Sequence, residues 1–458
     1  MKRIYSILFV IFISTAVNAQ HKDKSFYFDT GNKFYSEIHL IPTSNPDSVD
    51  AVTFFRASYD LFSFRKTDSD QQILGKYVAY PNMEADFKNA DGIIKNSVNT
   101  ADTIFVTHFD STNSKTRFIH GYTRSRLKVG KYNPVVRMHD NRNRNMRKQK
   151  PDYALDDNFL TECISQPIFV YENPYSAGLY KSYVLQDNAA FSEEGIRILL
   201  NTSTLPGSKY NYTIKFVGQK RKYVKWAGDL NLSGSLNITN NQYFDISEQS
   251  DENSILFEKK DINTSSYDKY IPGYAELFLS GAETVPGQYL LTVKNEAGKE
   301  VLSSEFEVYW ENMPVFLQRV QYAVNSMEYI LTDDEFDELD SGSDDEMSAK
   351  LIKWWEKKDP TPGTAFNEIM TEYFRRVDYS YFNFTTVSAK NGMRTDKAKV
   401  YILYGPPDDI ETNMDGKNPK EIWSYKELKK EFIFEVISAG DYRLIKALDL
   451  GKPAEKVK

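Results

Sequence analysis

From about Phe26 to Asn312 the chain is built of short runs that alternate apolar with polar residues, each closed by Gly, Pro, Asn or Ser. A period of two marks strands with one buried face, and turn residues at this density leave no room for long helices. The last run is the clearest. Pro286-Gly287-Gln288 leads into a strand on which Tyr289, Leu291 and Val293 share a face. Asn295-Glu296-Ala297-Gly298 turns it, and Phe306, Val308 and Trp310 share a face of the returning strand.

Such a pair is similar to the final hairpin of an immunoglobulin-like sandwich. Ile196–Leu200, Tyr212–Val217, Ser235–Thr239, Ile255–Glu258 and Ala275–Leu279 supply the other strands of this region, residues 174–312. An earlier β region, residues 20–173, holds Phe34–Leu40, Thr103–Val106, Arg117–His120 and Pro134–Met138, and closes on Pro167–Tyr171. The two regions end alike. Gly130-Lys131-Tyr132 with Val170-Tyr171-Glu172-Asn173 parallels Gly287-Gln288-Tyr289 with Val308-Tyr309-Trp310-Glu311-Asn312. That is a weak internal repeat of one sandwich type, the first copy carrying the longer hairpin loop.

After Pro314 the period changes. Val315, Leu317, Val320, Val324, Met327, Ile330 and Leu331 approximate a helical stripe. A second helix covers Met347 to Lys357, and the prolines at 360 and 362 stop it. Thr364 is the expected N-cap of a third helix running to about Tyr381. Strands are then expected at Val400–Tyr404, Glu421–Tyr425, Glu431–Ile437 and Tyr442–Ile445. The fold class is therefore mainly β plus α+β: two immunoglobulin-like antiparallel sandwiches, then a helical segment and a small antiparallel sheet over residues 313–458.

The first 19 residues read as a signal peptide. Lys2-Arg3 precedes an apolar stretch from Ile4 to Ile13, and Val17-Asn18-Ala19 supplies a small-residue cleavage site. Export is expected, with the periplasm or the cell exterior as destination and no transmembrane segment in the mature chain. Cys163 is the single cysteine, so an intrachain disulfide is impossible and the domains must be held by their cores. In its apolar setting Cys163 is expected to be a small buried hydrophobe. The net charge of -7 gives no reason to expect nucleic-acid binding.

Several motifs near the C-terminus occur in a fixed order. They are Trp354-Trp355, Asp359-Pro360-Thr361-Pro362-Gly363-Thr364, Phe374-Arg375-Arg376-Val377-Asp378-Tyr379, Gly392-Met393-Arg394-Thr395-Asp396, and Val400 through Tyr404-Gly405-Pro406-Pro407-Asp408-Asp409-Ile410-Glu411. Together they resemble the GWxTD domain family over about Pro314 to Ile445. The resemblance implies an exported bacterial envelope protein with β-sandwich regions ahead of the domain, and it implies no catalytic residues. The name-giving Trp is Met393 here. A role that needs the indole is lost, while an apolar gap is still filled.

Candidate chemistry is sparse. The run His139 to Lys150 carries Arg142, Arg144, Arg147 and Lys148, a solvated hairpin tip able to meet a polyanion such as acidic glycan. The acidic stretch Asp333 to Glu346 does not fit an EF-hand loop and reads as a charged helix end and solvated linker. His21, His39, His108, His120 and His139 show no metal-ligand spacing, and residues 313–458 contain no His or Cys. No metal and no cofactor is expected. The motif carboxylates Glu372, Asp378, Asp396, Asp408, Asp409 and Glu411 are expected to form turns, with Arg375 or Arg376 pairing one of them. The expectation is a non-enzymatic binding or assembly role through protein or glycan contacts. A carboxylate-dependent hydrolase of envelope glycan and a secretion or motility accessory protein are the alternatives.

Overall fold

The computed structural model describes residues 34–114, 117–140, 146–149, 159–218, 229–249, 254–310, 313–362, 364, 366–386, 389–413, 419–438 and 440–450. The expected signal peptide and the motif residue Gly363 lie outside these, as do Arg142 and Arg144 of the basic run. The described chain divides into two compact units, one ending at Tyr309 and one beginning at Trp310.

The first unit is built of sheets, antiparallel except where Ala189–Ala190 runs parallel to Glu300–Tyr309, around three apolar cores. Phe34–Pro42, Ser48–Ser58 and Phe118–Lys128 form one sheet. It packs Phe34, Ile38 and Leu40 against Met83, Phe87, Val136 and Met138 of the sheet built from Pro81–Lys88, Ile94–Ala101, Asn133–Asp140 and Met146–Gln149. Cys163 is buried in this core, as expected of a small hydrophobe. The second sandwich places Ile196–Thr204 and Ile271–Leu279 opposite Tyr210–Gly218, Gly287–Asn295 and Glu300–Tyr309. Ile198, Leu200 and Leu277 meet Tyr210, Tyr289, Leu291 and Phe306 there.

A third core joins the two sandwiches. Ile41, Val52 and Phe54 from the back of the first sheet meet Val170, Leu199, Phe244 and Phe257. Strands Phe34–Pro42 and Ile196–Thr204 are therefore buried on both faces over almost their whole length, which explains why their alternation is only partial. Charged groups form a network in this layer. Asp50 accepts from Arg124 Nη1 at 3.1 Å and from Arg126 Nη2 at 3.0 Å, and Arg124 also donates to Asp245.

Two expectations change. Ile168–Glu172, read as closing the first β region, pairs with Ile196–Thr204 and Leu179–Ser182 and belongs to the second by its hydrogen bonds. Asn133–Asp140 pairs with Pro81–Lys88 and with Met146–Gln149, not with Ile168–Glu172. The apparent repeat therefore does not correspond to two equivalent hairpins: the similar residues sit on strands with different partners.

The second unit has helices Val320–Ser326, Asp333–Leu339, Asp344–Glu356, Glu368–Asn383 and Asp396–Tyr404, followed by the four-stranded meander Asp409–Asn413, Lys420–Tyr425, Lys430–Ser438 and Asp441–Asp449. The acidic stretch, expected to hold a solvated linker, instead forms helix starts. Thr332 with Glu335 and Ser343 with Glu346 are reciprocal capping boxes, and the acids of each first turn lie where the helix dipole favours negative charge. The third expected helix is capped by Asn367, whose side chain accepts from Met370 N, and not by Thr364; the Thr364 hydroxyl donates to the Thr361 and Phe366 carbonyls.

Residues 400–404 are helical, not a strand. Thr395 caps the helix by accepting from Ala398 N at 3.2 Å, and Gly405 ends it at φ +81°. The helix is apolar on two sides. Ala398 and Ile402 enter the helical core, while Val400, Tyr401 and Tyr404 pack on the sheet core. Two buried faces produce the dense apolar run that reads as a strand.

The Tyr289 hydroxyl donates to Val285 O at 2.8 Å and accepts from Val285 N at 3.0 Å, the bonding of a tyrosine corner. Tyr289→Phe leaves that buried amide unpaired and is expected to cost about 1–3 kcal/mol of the first unit's stability, measurable by urea unfolding.

Candidate functional site

The motif residues occupy three places in the second unit. The first lies at the end of helix Asp344–Glu356. Trp354 Nε1 donates to Glu335 Oε1 at 3.0 Å, and Lys358 Nζ sits 4.0 Å from the centroid of the Trp354 ring. Trp355 is buried against Tyr373 and Phe374 and takes a hydrogen bond on its carbonyl from Asn367 Nδ2 at 2.9 Å. Asp359 accepts from Thr361 N at 2.8 Å, the turn that Pro360 and Pro362 flank.

The second place is the approach of the 392–394 turn to the end of helix Glu368–Asn383. A Cβ on Gly392 would stand 2.5 Å from Ser380 O and 2.7 Å from Tyr381 O, so only glycine fits. Met393 is buried in the helical core, and its carbonyl accepts from the Tyr329 hydroxyl at 3.0 Å. The methionine thus fills apolar space where the family carries Trp. Thr395 donates to Gly392 O at 2.9 Å while capping the next helix. Asp396, in the first turn of that helix, reaches across to the sheet and accepts from Leu444 N at 2.6 Å.

The third place is the helix end at Tyr404-Gly405. Tyr425 OH donates to Gly405 O at 2.9 Å, and Tyr404 packs on Phe432 with centroids 4.9 Å apart. The Arg376 guanidinium carbon lies 3.0 Å from where a Gly405 Cβ would be. Arg376 pairs with Glu372, one helical turn away, at 2.7 Å, not with a turn carboxylate, and Arg375 is exposed. Beyond the half-buried Pro407, Asp408 accepts from Lys426 N at 2.6 Å, closing the turn into the sheet.

The carboxylates of this region therefore point at backbone amides. Asp378 accepts from Val315 N at 2.7 Å and Phe316 N at 3.2 Å. Burial nevertheless pushes its pKa up to about 7, against the pull of those two amides. Asp340 is also raised, first by desolvation and then by Asp337, but these two acids lie on an exposed helix end. Asp409 accepts from Ile410 N at 3.0 Å and Glu411 lies on an exposed strand. A hydrolytic pair needs two acids with free lone pairs across one gap, and these carboxylates have theirs directed at main chain, at Arg376 or at solvent.

One cluster was not foreseen in the sequence. Lys397 Nζ lies 2.8 Å from Glu421 Oε1 and 3.1 Å from the centroid of the Tyr442 ring, and Trp423 Nε1 donates to the same Glu421 oxygen at 2.6 Å. Desolvation lowers the Lys397 pKa, with Glu421 opposing it. The amine is committed to its ion pair and its ring. The available signal was its place directly after Thr395-Asp396.

Arg147 and Lys148 lie on Met146–Gln149, the returning arm of the hairpin with Asn133–Asp140, and pair in register with Met138 and Arg137. Among the described residues no helix is long and apolar enough to cross a membrane. The described group that could hold a metal lies in the first unit, at Glu37, His39 and Asp187.

Residues 287–448 match the model of the GWxTD domain. The match starts earlier than the motifs do, at the hairpin that closes the second sandwich. No curated protein matches the chain. Among solved structures, the C-terminal domain of the Streptococcus pyogenes antigen I/II-family protein AspA is 7% identical over 60% of this chain and 100% of that one, with a TM-score of 0.15. The collagen adhesin (CNA) from S. aureus is 9% identical over 61% of this chain and 93% of that one, with a TM-score of 0.13. Likeness this slight carries no argument about fold or binding.

Gly392→Ala is expected to destabilise the second unit by more than about 2 kcal/mol, because the clash is with backbone. Asp396→Ala, which orphans the Leu444 amide, is expected to cost about 1–3 kcal/mol; both are read by denaturant unfolding. Asp378 gives a pH signature. Below about pH 4 both folded and unfolded states hold its proton; from there to about pH 7 only the unfolded chain ionises, which favours unfolding. Stability of this unit should fall by at least about 1 kcal/mol between pH 5 and 8, and Asp378→Asn should flatten that slope.

Proposed function

The chain carries a GWxTD domain, and on that premise we propose that it is a non-enzymatic, exported protein of the bacterial envelope that binds or assembles partners through protein or glycan contacts. The observation that supports this reading is the commitment of the motif carboxylates: Asp359, Asp378, Asp396 and Asp408 each hold a backbone amide. Residues of this kind shape turns and tie helices to a sheet. The leader at residues 1–19 supports export, with the periplasm as the favoured destination.

Contact surfaces are proposed on the β unit. Tyr175 is 90% exposed and Phe109 61% exposed, and aromatic rings of this kind stack on sugars or fill a protein partner's pockets. The basic run Arg142, Arg144, Arg147 and Lys148 supplies positive charge for an acidic polysaccharide.

Two measurements test the reading. The purified chain from Gln20 onward should release no product from envelope glycan or peptide. Turnover that vanishes in Asp396→Asn or Asp408→Asn would establish the hydrolase instead. The fourfold alanine variant of the basic run should elute from an immobilised acidic polysaccharide at lower salt than the parent, as expected for screened surface charge.

A further inference from the structure

We propose that Glu37, His39 and Asp187 form a binding site for a divalent transition-metal ion of the zinc type, linking the two β sandwiches. Glu37 and His39 are two residues apart on strand Phe34–Pro42 and so share a face. That face looks into the core between the sandwiches, where the His39 ring lies 5.6 Å from Phe54. Asp187 comes from the other side, on the segment between Leu179–Ser182 and Ala189–Ala190. Its backbone N donates to Glu37 Oε2 at 2.9 Å, which fixes the segment onto the strand.

The arrangement leaves Glu37 Oε1 facing His39 Nε2 at 3.6 Å. That is too long for a hydrogen bond. It matches donors sharing one ion, since tetrahedral zinc with bonds near 2.0–2.2 Å sets neighbouring ligand atoms about 3.3–3.6 Å apart. The ligand atoms of all three residues lie within 4.8 Å of one another. Glu37 and His39 are only 6% and 4% exposed, and His39 Nδ1 is buried with no hydrogen-bond partner. Two carboxylates converge here on one imidazole. Among the described residues, His39 is the group at ion-pair distance from Glu37. A carboxylate buried as deeply as that of Glu37 is costly unless a cation neutralises it. Imidazole with carboxylates suits zinc over calcium or magnesium, and three protein ligands leave a fourth position for water.

The test is zinc titration of the untagged, chelator-treated chain against a chromogenic chelator. The expected result is one tightly bound equivalent, not displaced by calcium or magnesium, and a zinc-dependent rise in the melting temperature. His39→Gln and Asp187→Ala should each weaken binding by more than the roughly 10-fold that changes around a metal site commonly cost. Asp187 is on a half-buried segment outside any strand, so its variant keeps the test valid if the His39 variant fails to fold. A folded parent chain that takes up no zinc overturns the proposal. So does uptake that both variants leave unchanged, which would place the ion elsewhere.

Discussion

The second unit depends on one helix that two cores share. Asp396–Tyr404 turns Ala398 and Ile402 toward the other helices and Val400, Tyr401 and Tyr404 toward the meander. Positions four apart lie on the same side, so the helix presents two apolar stripes at once. Its ends are fixed as firmly as its sides. Thr395 caps the start and Asp396 holds Leu444 N; Gly405 ends it in a left-handed conformation, beside the Arg376 guanidinium. Phe384, at the end of helix Glu368–Asn383, also packs against both cores. A small four-stranded sheet of this size gains its stability by packing against a helix.

That same double burial hid the helix in the sequence. Val400-Tyr401-Ile402-Leu403-Tyr404 is rich in β-branched and aromatic residues, and a run with no polar face has no period to read. The end signals were present. Thr395 before the run and Gly405 after it are the cap residues of a helix, and they outweigh the propensity of the five between them. Elsewhere the signals agreed. The Pro360–Pro362 stop and the three later strands of the meander were legible because each has a local cause, whereas the capping boxes at Thr332 and Ser343 went unread within the acidic run.

In the first unit the limit on legibility is layering. Strands of the outer sheets, such as Gly287–Asn295, show the alternation expected of one buried face. Ser48–Ser58, between two cores, does not, because nearly every residue is buried. The sequence therefore disclosed sandwiches but not the third core that joins them. The Glu37-His39 spacing placed two polar side chains on one face of a strand, yet gave no sign that this face is interior. Asp187 joins them only through tertiary structure, from a segment far along the chain.

With a single cysteine, distant segments must be held by other means, and carboxylates serve that purpose in both units. In the C-terminal unit Asp359, Asp378, Asp396 and Asp408 each accept from a backbone N–H, while Glu372 and Glu421 answer Arg376 and Lys397. A charged acceptor makes a stronger bond to such an amide than a neutral one. In the β unit Asp50 and Asp245 answer Arg124, and Asp245 and Asp140 also accept from the backbone N–H groups of Ile246 and Ser63. Glu37 combines the two uses. One oxygen holds the Asp187 amide; the other, among the described residues, faces an imidazole at a distance too long to bond. A carboxylate half satisfied in a buried layer is costly, and an ion between Glu37, His39 and Asp187 would complete its coordination.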